Sequence, residues 1–397
     1  MKEHYDVLIC GGGTGGLTVA AQLLAEDPDL TLAIIEPSKE HYYQPLWTLV
    51  GGGVYEREES VRAEGDFIPS GADWIQDAVS GFDPEHNAVA LSDGRRITYD
   101  QLVVALGIQI DWNSIPGLRD SVGKPGTGVC SNYSYETVAS TWENIRGFKG
   151  GKALFTEPVC GVKCGGAPQK IMYLAEDHFR RSGIRDRCEV LFLNGKGSIF
   201  SSPHYIPALT DVCNRRGIEV RFQTNLVEIR PGSREAVFRN TQSDDETVIH
   251  YEMLHVTPPM GPPDVIKQSA LADAGGWVGV DAHSLRHAKF PNVYSLGDCS
   301  SLPTSKTGAA IRKQAPTVVA NVLAARRGEE PTASYDGYTS CPLVTGYGKL
   351  ILAEFDYTKE PCESFPFDQR KERYSMYALK AYALPRMYWH GMLKGRM

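Results

Sequence analysis

Two cysteines, Cys160 and Cys164, lie four positions apart in the segment VCGVKCGGAPQK of this 397-residue chain. Pro168 follows them where a helix is expected to begin, because proline is favoured in the first helical turn. A thiol attacks or leaves well as the thiolate, a form that a helix N-terminus or a nearby cation favours. Lys163 and Lys170 are such cations. The segment therefore predicts either thiol redox chemistry or, since free cysteines are mostly buried, two small packing residues.

The other cysteines of the sequence do not complete a set of metal ligands with Cys160 and Cys164. The chain has nine cysteines scattered over its length, which is unlike the disulfide framework of a small secreted protein. No second Cys/His pair with ligand spacing lies near Cys160 and Cys164, so zinc is not predicted. Packing roles are predicted for Cys10, Cys188, Cys213 and Cys299.

The elements that must position these thiols begin with a nucleotide fingerprint. An apolar run over residues 7–10 leads into Gly11, Gly13 and Gly16, then a helix, then a second apolar run that ends at Glu36. In this fingerprint the glycines permit a tight turn and close approach of a pyrophosphate, and the acid receives a ribose hydroxyl. Glu36 follows Gly16 by 20 residues, the expected offset. The sequence predicts a dinucleotide-binding domain.

A second strand and helix series carries the cysteines. We predict strands over 152–156, 189–194 and 219–223 and helices over 168–181 and 203–216, followed by strands and turns over 226–257. A hairpin is predicted around residues 92–95 and a helix over 308–326. A pyridine-nucleotide reductase needs another glycine turn after the first strand of this series. Here that turn is missing and the thiols stand in its place.

Composition and charge narrow the class of protein. The net charge of −7 and the pI near 5.8 argue against a general nucleic-acid binder. No apolar run reaches the roughly 18 residues of a spanning helix. From Pro366 onward, however, seven Lys or Arg and two acids give a local charge of +5.

This basic segment has a helical apolar pattern. Aromatic and apolar residues repeat at helical spacing, Pro385 is predicted to break the helix, and a second apolar cluster follows. The residues concerned are Tyr374, Tyr377, Ala378, Ala381 and Leu384, then Met387, Tyr388, Trp389, Met392 and Leu393. Such a helix lies in a membrane surface, packs on the protein's own core or forms a dimer contact; we expect the first.

Four segments together resemble sulfide:quinone oxidoreductases, membrane-associated flavoproteins that oxidise hydrogen sulfide and reduce quinone. They are HYYQPLWTLVG at 41–51, KCGGAPQK at 163–170, GDCSSLPTSKT at 297–307 and TSCPLV at 339–344. The resemblance covers nearly the whole chain and is closest to the branch that includes the mitochondrial enzymes. It implies an α/β fold with two tandem Rossmann-like domains of the pyridine nucleotide-disulfide reductase type and a C-terminal amphipathic membrane-docking region.

The resemblance implies these domain limits. Residues 1–150 and 290–335 form a discontinuous FAD-binding domain, residues 151–289 a second Rossmann-like domain carrying the redox cysteine, and residues 336–397 the quinone- and membrane-facing region. FAD contacts are implied at Gly11, Gly13, Gly16, Glu36, Gln44, Pro45, Ala105, Gly107, Asp298, Lys306, Lys313 and Gln314. The last three are expected to stabilise negative charge on the reduced flavin or to have ordinary surface roles.

By the same resemblance, Cys164 and Cys341 are a redox pair beside the flavin. It implies that Cys341 holds the departing sulfane sulfur and that Cys164 is the thiolate facing the flavin. Cys160 is a candidate third thiol, and Cys130 is left as a second sulfur acceptor or an incidental cysteine.

These inferences predict a peripheral membrane FAD enzyme that moves electrons from sulfide to ubiquinone or menaquinone. The sulfane sulfur leaves as polysulfide or on a small acceptor, and a homo-oligomer is left open. The expected location is the cytoplasmic side of a bacterial inner membrane or the matrix side of an organelle membrane. Two alternatives remain: a type II NADH:quinone oxidoreductase, and a non-catalytic flavoprotein that senses sulfide or redox state.

Overall fold

The first strand, His4–Cys10, lies inside a seven-stranded sheet of the computed structural model, which describes residues 2–397. It pairs in parallel with Leu32–Ile35 and Arg96–Val104. Its residues 7–10 are fully buried, as expected for a parallel strand covered on both faces. The other strands of this sheet are Ala72–Ile75, Val79–Asp83, Ala88–Leu91 and Val293–Ser295. The last of these, Val293–Ser295, pairs with Arg96–Val104, so the chain returns to the first sheet after the second sheet is complete.

A second sheet has five parallel strands, with Gly151–Glu157 in the middle. The other four are Val129–Cys130, Met253–His255, Cys188–Asn194 and Glu219–Arg221. The helices of this part are Val138–Gly147, Ala167–Arg181 and Ile206–Arg215. The predicted strands and helices of this series are confirmed, with boundaries that differ by a few residues at most.

Smaller elements complete the fold. Antiparallel strands pair as Thr224–Arg230 with Glu235–Asn240 and Glu246–His250, Thr339–Gly346 with Lys349–Phe355, Glu40–Tyr42 with Val61–Ala63, and Gln109–Ile110 with Met260–Gly261. The other helices are Thr14–Glu26, Trp47–Gly51, Leu118–Ser121, Asp264–Lys267 and Gly308–Arg326. Short 3-10 turns are Gln44–Leu46, Arg57–Ser60, Glu64–Asp66, Pro84–His86, Arg185–Arg187, Pro203–Tyr205, Gly297–Cys299 and Met392–Lys394. The predicted hairpin joins Ala88–Leu91 to Arg96–Val104.

The C-terminal helix, called the tail helix below, differs from the sequence prediction at Pro385. It runs through Tyr374–Ala378, a π-helical stretch Leu379–Ala383, and Leu384–His390 without interruption. Proline lacks the N–H that would bond the carbonyl four residues earlier, at Ala381. The Tyr55 hydroxyl donates to that carbonyl instead, at 2.7 Å. The prediction that Pro385 breaks the helix is therefore wrong.

The apolar stripe of the tail helix packs largely on the protein itself. Tyr377, Ala381 and Tyr388 are buried in the largest hydrophobic core, and Trp389, Met392 and Leu393 join them. The large apolar side chains that remain exposed are Tyr374 (66%), Tyr382 (52%) and Met387 (38%). Most of the residues expected from the sequence to face a membrane are therefore buried in the core. Of the predicted residues, Tyr374 and Met387 are exposed, and Tyr382 lies outside the predicted stripe. Within residues 2–397, no helix combines the length and the apolar character needed to cross a bilayer.

Candidate active site

One cavity of about 690 Å³ joins the glycine turn, the cysteine segment and the tail helix. Its wall includes Gly13 and Thr14 from the turn, Cys164 and Lys170 from the second sheet's first connection, and Lys380 from the tail helix. This volume is within the usual range for a cofactor pocket. The fold therefore brings three distant parts of the sequence to one site.

The glycine turn follows a tight backbone path that a residue with a side chain could not follow. Gly11 has a positive φ of 106°, and a Cβ there would collide with the Ala105 carbonyl. A Cβ at Gly16 would collide with the carbonyl oxygen of Gly11. The helix Thr14–Glu26 then begins at Gly13 without a side-chain cap, so its first N–H groups are available to an anion at the cavity wall.

Glu36 lies where the fingerprint predicts. It lines the cavity and accepts the N–H of Gly12 and that of Ser38, each at 2.8 Å. Burial raises the pKa of Glu36, while these two N–H groups act in the opposite direction. The carboxylate is thus held beside the turn, in a position to receive a hydroxyl.

The end of the strand Val293–Ser295 forms another part of the wall, with Ala105 and Gly107 nearby. The Gly297 N–H donates to Gln314 Oε1 at 2.9 Å, which fixes this turn. Lys306 Nζ donates to the carbonyls of Asp298 and Ser300, at 2.6 and 3.1 Å. Burial raises the pKa of Asp298 and lowers that of Lys306.

Gln44 and Pro45 also line the cavity, and lysines from other segments hold them. Lys163 Nζ donates to Gln44 Oε1 at 2.7 Å, and Lys380 Nζ donates to the Pro45 carbonyl at 2.8 Å. Lys313 does not share this environment. It is exposed, with Nζ 5.9 Å from the Tyr338 ring centroid, and its neighbour Arg312 lines the cavity instead.

Cys164 and Cys341, 177 positions apart, meet with their sulfur atoms 3.6 Å apart. Cys341 lies in the strand Thr339–Gly346 and is 2% exposed. A Cβ at Gly166 would lie 2.5 Å from Cys341 Sγ, so this glycine permits the approach. Cys164 has a positive φ of 52°, and its N–H donates to the Lys306 carbonyl at 2.9 Å. Backbone in this region is costly for a residue with a side chain, and such positions cluster at functional sites.

The charges around the pair favour a thiolate at Cys164. The hydrogen bond from Cys341 and the ammonium of Lys170, 3.0 Å from Cys164 Sγ, hold the pKa of Cys164 well below 9, although burial opposes this. The hydrogen bond with Cys164 and burial raise the pKa of Cys341 well above its usual value. Burial disfavours the charge on Lys170, but both thiols raise its pKa above the ordinary value. The two sulfurs are thus electrostatically different.

Lys380 is a site residue that the sequence analysis assigned only to the basic tail. It is buried, it lines the cavity, and burial together with the nearby Lys170 lowers its pKa to about 7. The available signal was its position three residues after Tyr377, which places it on the buried face of the helix.

The other two candidate thiols lie in different surroundings. Cys160 is partly exposed and packs in the same small apolar cluster as Cys164, with Tyr133 and Met260. Cys130 is fully buried, and burial raises its pKa to about 12. Among residues 2–397, no group of His, Cys, Asp or Glu could hold a metal ion.

Comparisons with known proteins give consistent results. Residues 5–140 match the pyridine nucleotide-disulphide oxidoreductase family model. The chain is 49% identical over 395 residues to the mitochondrial sulfide:quinone oxidoreductase of Mus musculus, covering 99% of this chain and 87% of that protein. It is 50% identical over 399 residues to the protein of the same name from Dictyostelium discoideum, covering 100% and 87%. The X-ray structure of sulfide:quinone oxidoreductase from Aquifex aeolicus has the same fold, with a TM-score of 0.84 at 18% identity, over 99% of this chain and 92% of that one.

Proposed function

The chain belongs to the sulfide:quinone oxidoreductase family, and we propose from this premise how its residues perform the reaction. It is an enzyme that oxidises sulfide with quinone as the electron acceptor. Its family consists of flavoproteins. The observation that carries the proposal is the cysteine pair, two sulfurs 3.6 Å apart with Lys170 at 3.0 Å, at the wall of a cofactor-sized cavity.

The residues present fit FAD as the cofactor. A Cβ at Gly11 or Gly16 would collide with the backbone at Ala105 or Gly11, so these glycines permit the tight turn. A Cβ at Gly13 would meet no atom of the described residues within 4 Å, and Gly13 lines the cavity at the uncapped helix N-terminus, which leaves room there for a pyrophosphate. Glu36 receives a ribose hydroxyl, while Ala105, Gly107, Gln44, Pro45, Asp298 and Gln314 shape the rest of the site. When bound, FAD supplies a carrier that takes two electrons from sulfur and gives them to quinone.

Cys164 and Cys341 handle the sulfur. In the oxidised pair, sulfide attacks the bridging sulfur at Cys341, so that a new S–S bond forms there as the bond to Cys164 breaks. This leaves a persulfide on Cys341 and a thiolate on Cys164, where Lys170 stabilises the charge. Cys164 lines the cavity and gives up the two electrons; Cys341 is buried behind it and retains the sulfur.

The sulfane sulfur then passes from Cys341 to sulfide or a small thiol and leaves as polysulfide or as the persulfide of that thiol. The thiolate left on Cys341 re-forms the S–S bond with Cys164, which has given up two electrons, and so restores the oxidised pair. Cys160 is a candidate acceptor within the chain, since it packs in the cluster that includes Cys164 and is partly exposed. Cys130 is a poorer acceptor, because burial raises its pKa and disfavours the thiolate.

Lys380 moves a proton on the quinone side. Its pKa of about 7 lets it hold a proton or release it near neutral pH, and its Nζ lies against the Pro45 carbonyl at the cavity wall. Reduction of a quinone to the quinol consumes two protons, so a titratable group in this position serves the acceptor half of the reaction.

The tail helix faces the membrane and admits quinone. Met376, Leu379, Leu384 and Met387 line the cavity, and Met387 is also exposed, which puts an apolar opening on this helix. Tyr374 and Tyr382 are the exposed aromatic side chains beside it, and aromatic residues favour the membrane interface. The enzyme is a peripheral membrane protein in this proposal, on the cytoplasmic face of a bacterial inner membrane or the matrix face of an organelle membrane.

Steady-state quinone reduction tests the assignment. The purified protein is given a short-chain quinone with either sulfide or NADH as the electron donor. Sulfide-dependent reduction is expected, with NADH inactive because the second glycine turn is absent. A higher rate with NADH would favour the NADH:quinone alternative, and no turnover with either donor would favour a sensor.

A further inference from the structure

A buried hydrogen-bond chain links the tail helix to the glycine turn. The Tyr388 hydroxyl lies 2.8 Å from Thr14 Oγ1 and 2.5 Å from His41 Nε2. His41 Nδ1 lies 2.9 Å from Glu64 Oε2. All four residues line the cavity, and nothing in the sulfur or quinone chemistry above uses them.

When His41 is neutral, the donor and acceptor of each hydrogen bond in this series are defined. A carboxylate only accepts, so His41 Nδ1 donates to Glu64 and leaves Nε2 as an acceptor. The Tyr388 hydroxyl then donates to His41, and its oxygen accepts from Thr14. Tyr388 is thereby fixed to the first turn of the helix whose N-terminus faces the cavity.

The second carboxylate oxygen of Glu64, Oε1, takes no part in this series of hydrogen bonds. Glu64 is 1% exposed, and its Oε1 has no hydrogen-bond partner among the described residues. A Cβ built on Gly12 would lie 2.5 Å from this oxygen and 2.6 Å from Cγ of Glu36. The two carboxylates therefore flank the same peptide. A buried carboxylate oxygen without a partner is costly, so the position fits a donor supplied by a ligand.

The tail helix is held on this part of the molecule by further contacts. The ring centroids of Tyr388 and Tyr43 lie 4.3 Å apart, and those of Trp389 and Phe67 lie 5.0 Å apart. The carbonyl of Met397, the last residue, accepts a hydrogen bond from Gln22 Nε2 at 2.8 Å. The tail helix and the residues after it thus extend from the apolar opening to the glycine turn.

We propose that Glu64 is a second acceptor for the ribose diol of the dinucleotide, and that Tyr388 makes the tail helix a latch on the cofactor. This inference rests on the proposed FAD site and deepens it. Glu36 takes one hydroxyl and Glu64 the other, while Tyr388 orders Thr14 beside the pyrophosphate. Cofactor retention then depends on the same helix that faces the membrane.

The test uses Tyr388→Phe and Glu64→Gln, each with a matched control. Tyr99→Phe removes a buried hydroxyl that has no partner among the described residues, and Glu26→Gln changes an exposed acid on the helix Thr14–Glu26. FAD release from the diluted holoenzyme is followed by the rise in flavin fluorescence. The melting temperature is measured with and without added FAD.

We expect each test variant to release FAD about three- to tenfold faster than wild type, the effect of losing one or two hydrogen bonds. Both controls should release it at the wild-type rate. Loss of these hydrogen bonds lowers the melting temperature without FAD as well, so the expected signature is a larger fall with FAD than without it.

Two results would overturn the latch while leaving the FAD site in place. One is wild-type protein that binds FAD and variants that release it no faster. The other is variants whose melting temperature falls equally with and without FAD, since that is a purely structural role. Wild-type protein that binds no FAD would overturn the proposed cofactor itself, and this is read before any variant is made.

Discussion

The seven-stranded sheet and the five-stranded sheet each contain a strand, a connection and a helix in the same order, but the two connections carry different residues. In the first sheet, His4–Cys10 leads through glycines to the helix Thr14–Glu26, and backbone N–H groups face the cavity. In the second sheet, Gly151–Glu157 leads through the cysteine segment to the helix Ala167–Arg181, and side-chain ammonium groups face a thiolate. The residues of the connection therefore differ with the anion that each site is proposed to stabilise, a pyrophosphate at the glycine turn and a thiolate at the cysteine segment.

The ends of the two strands distinguish the proposed nucleotide site from the cysteine site. The first ends in a glycine turn with room for a pyrophosphate. The second ends at Glu157, a buried carboxylate that accepts from Lys196 Nζ at 2.7 Å and from Asn194 Nδ2 at 3.2 Å. An ion pair between the buried Glu157 and Lys196 therefore closes the end of this strand, where the first sheet has an open glycine turn, and the cysteine segment follows it.

Removing either member of the cysteine pair should have the largest effect. We expect Cys164→Ser and Cys341→Ser each to lower sulfide-dependent quinone reduction by about 10³-fold or more, because the two sulfurs act as a unit. Cys188→Ser is the matched control, since serine can keep the hydrogen bond that Cys188 Sγ donates to the Ile184 carbonyl. Near-normal rates in Cys164→Ser would mean that the second connection does no sulfur chemistry, and near-normal rates in Cys341→Ser would exclude the pair.

A Gly→Ala substitution in the glycine turn should prevent FAD binding, whereas one in the cysteine segment should not. Gly16→Ala is expected to abolish FAD binding, because its Cβ would collide with the Gly11 carbonyl. A Cβ at Gly161 meets no atom within 4 Å among the described residues, so Gly161→Ala should keep its full FAD content. The flavin absorbance per purified chain gives the answer, and equal FAD content in the two variants would contradict the comparison.

Replacement of Lys380 tests whether its ammonium group donates a proton during quinone reduction. Lys380→Met is expected to lower turnover with quinone by about 10²-fold, the usual contribution of a positioned proton donor. The wild-type pKa near 7 means that Lys380 is protonated below that pH and neutral above it. Wild-type turnover limited by this proton should fall as pH rises through 7. A variant that retains the same pH profile would remove Lys380 from the reaction.

Replacement of Lys170 should shift a pH profile more than it removes activity. Together with the hydrogen bond from Cys341, Lys170 holds the pKa of Cys164 down, so Lys170→Gln should raise that pKa. The thiolate then forms only at higher pH, and the acid limb of sulfide-dependent flavin reduction moves upward. The limb is measured by rapid mixing across a pH series; an unmoved limb would show that the charge of Lys170 does not set the thiolate.

Much of this comparison could be predicted from short stretches of sequence. The turn through Gly11, Gly13 and Gly16, the offset to Glu36 and the helix over 308–326 depend on local spacing, and the structure has them as expected. The absence of a glycine turn after residue 156 was also visible, which is why the cysteine segment stood out.

Other features depend on contacts that spacing does not encode. Cys164 and Cys341 are 177 positions apart, so only the resemblance to a family paired them before the fold was known. The helical pattern of the tail was correct, but it did not say which face is buried, and Lys380 and Tyr388 were missed as cavity residues. Pro385 was expected to end the helix because its local effect is clear and the compensating Tyr55 hydroxyl is distant in sequence.

The most direct test of the cysteine pair is an anaerobic titration of the purified protein with sulfide, followed by flavin absorbance and then by addition of a short-chain quinone. The account predicts that one equivalent of sulfide bleaches the wild-type flavin, that quinone restores it, and that Cys164→Ser and Cys341→Ser stay oxidised while Cys188→Ser behaves as wild type. Bleaching of the two test variants at the wild-type rate would contradict the account, because electrons would then reach the flavin without the paired sulfurs.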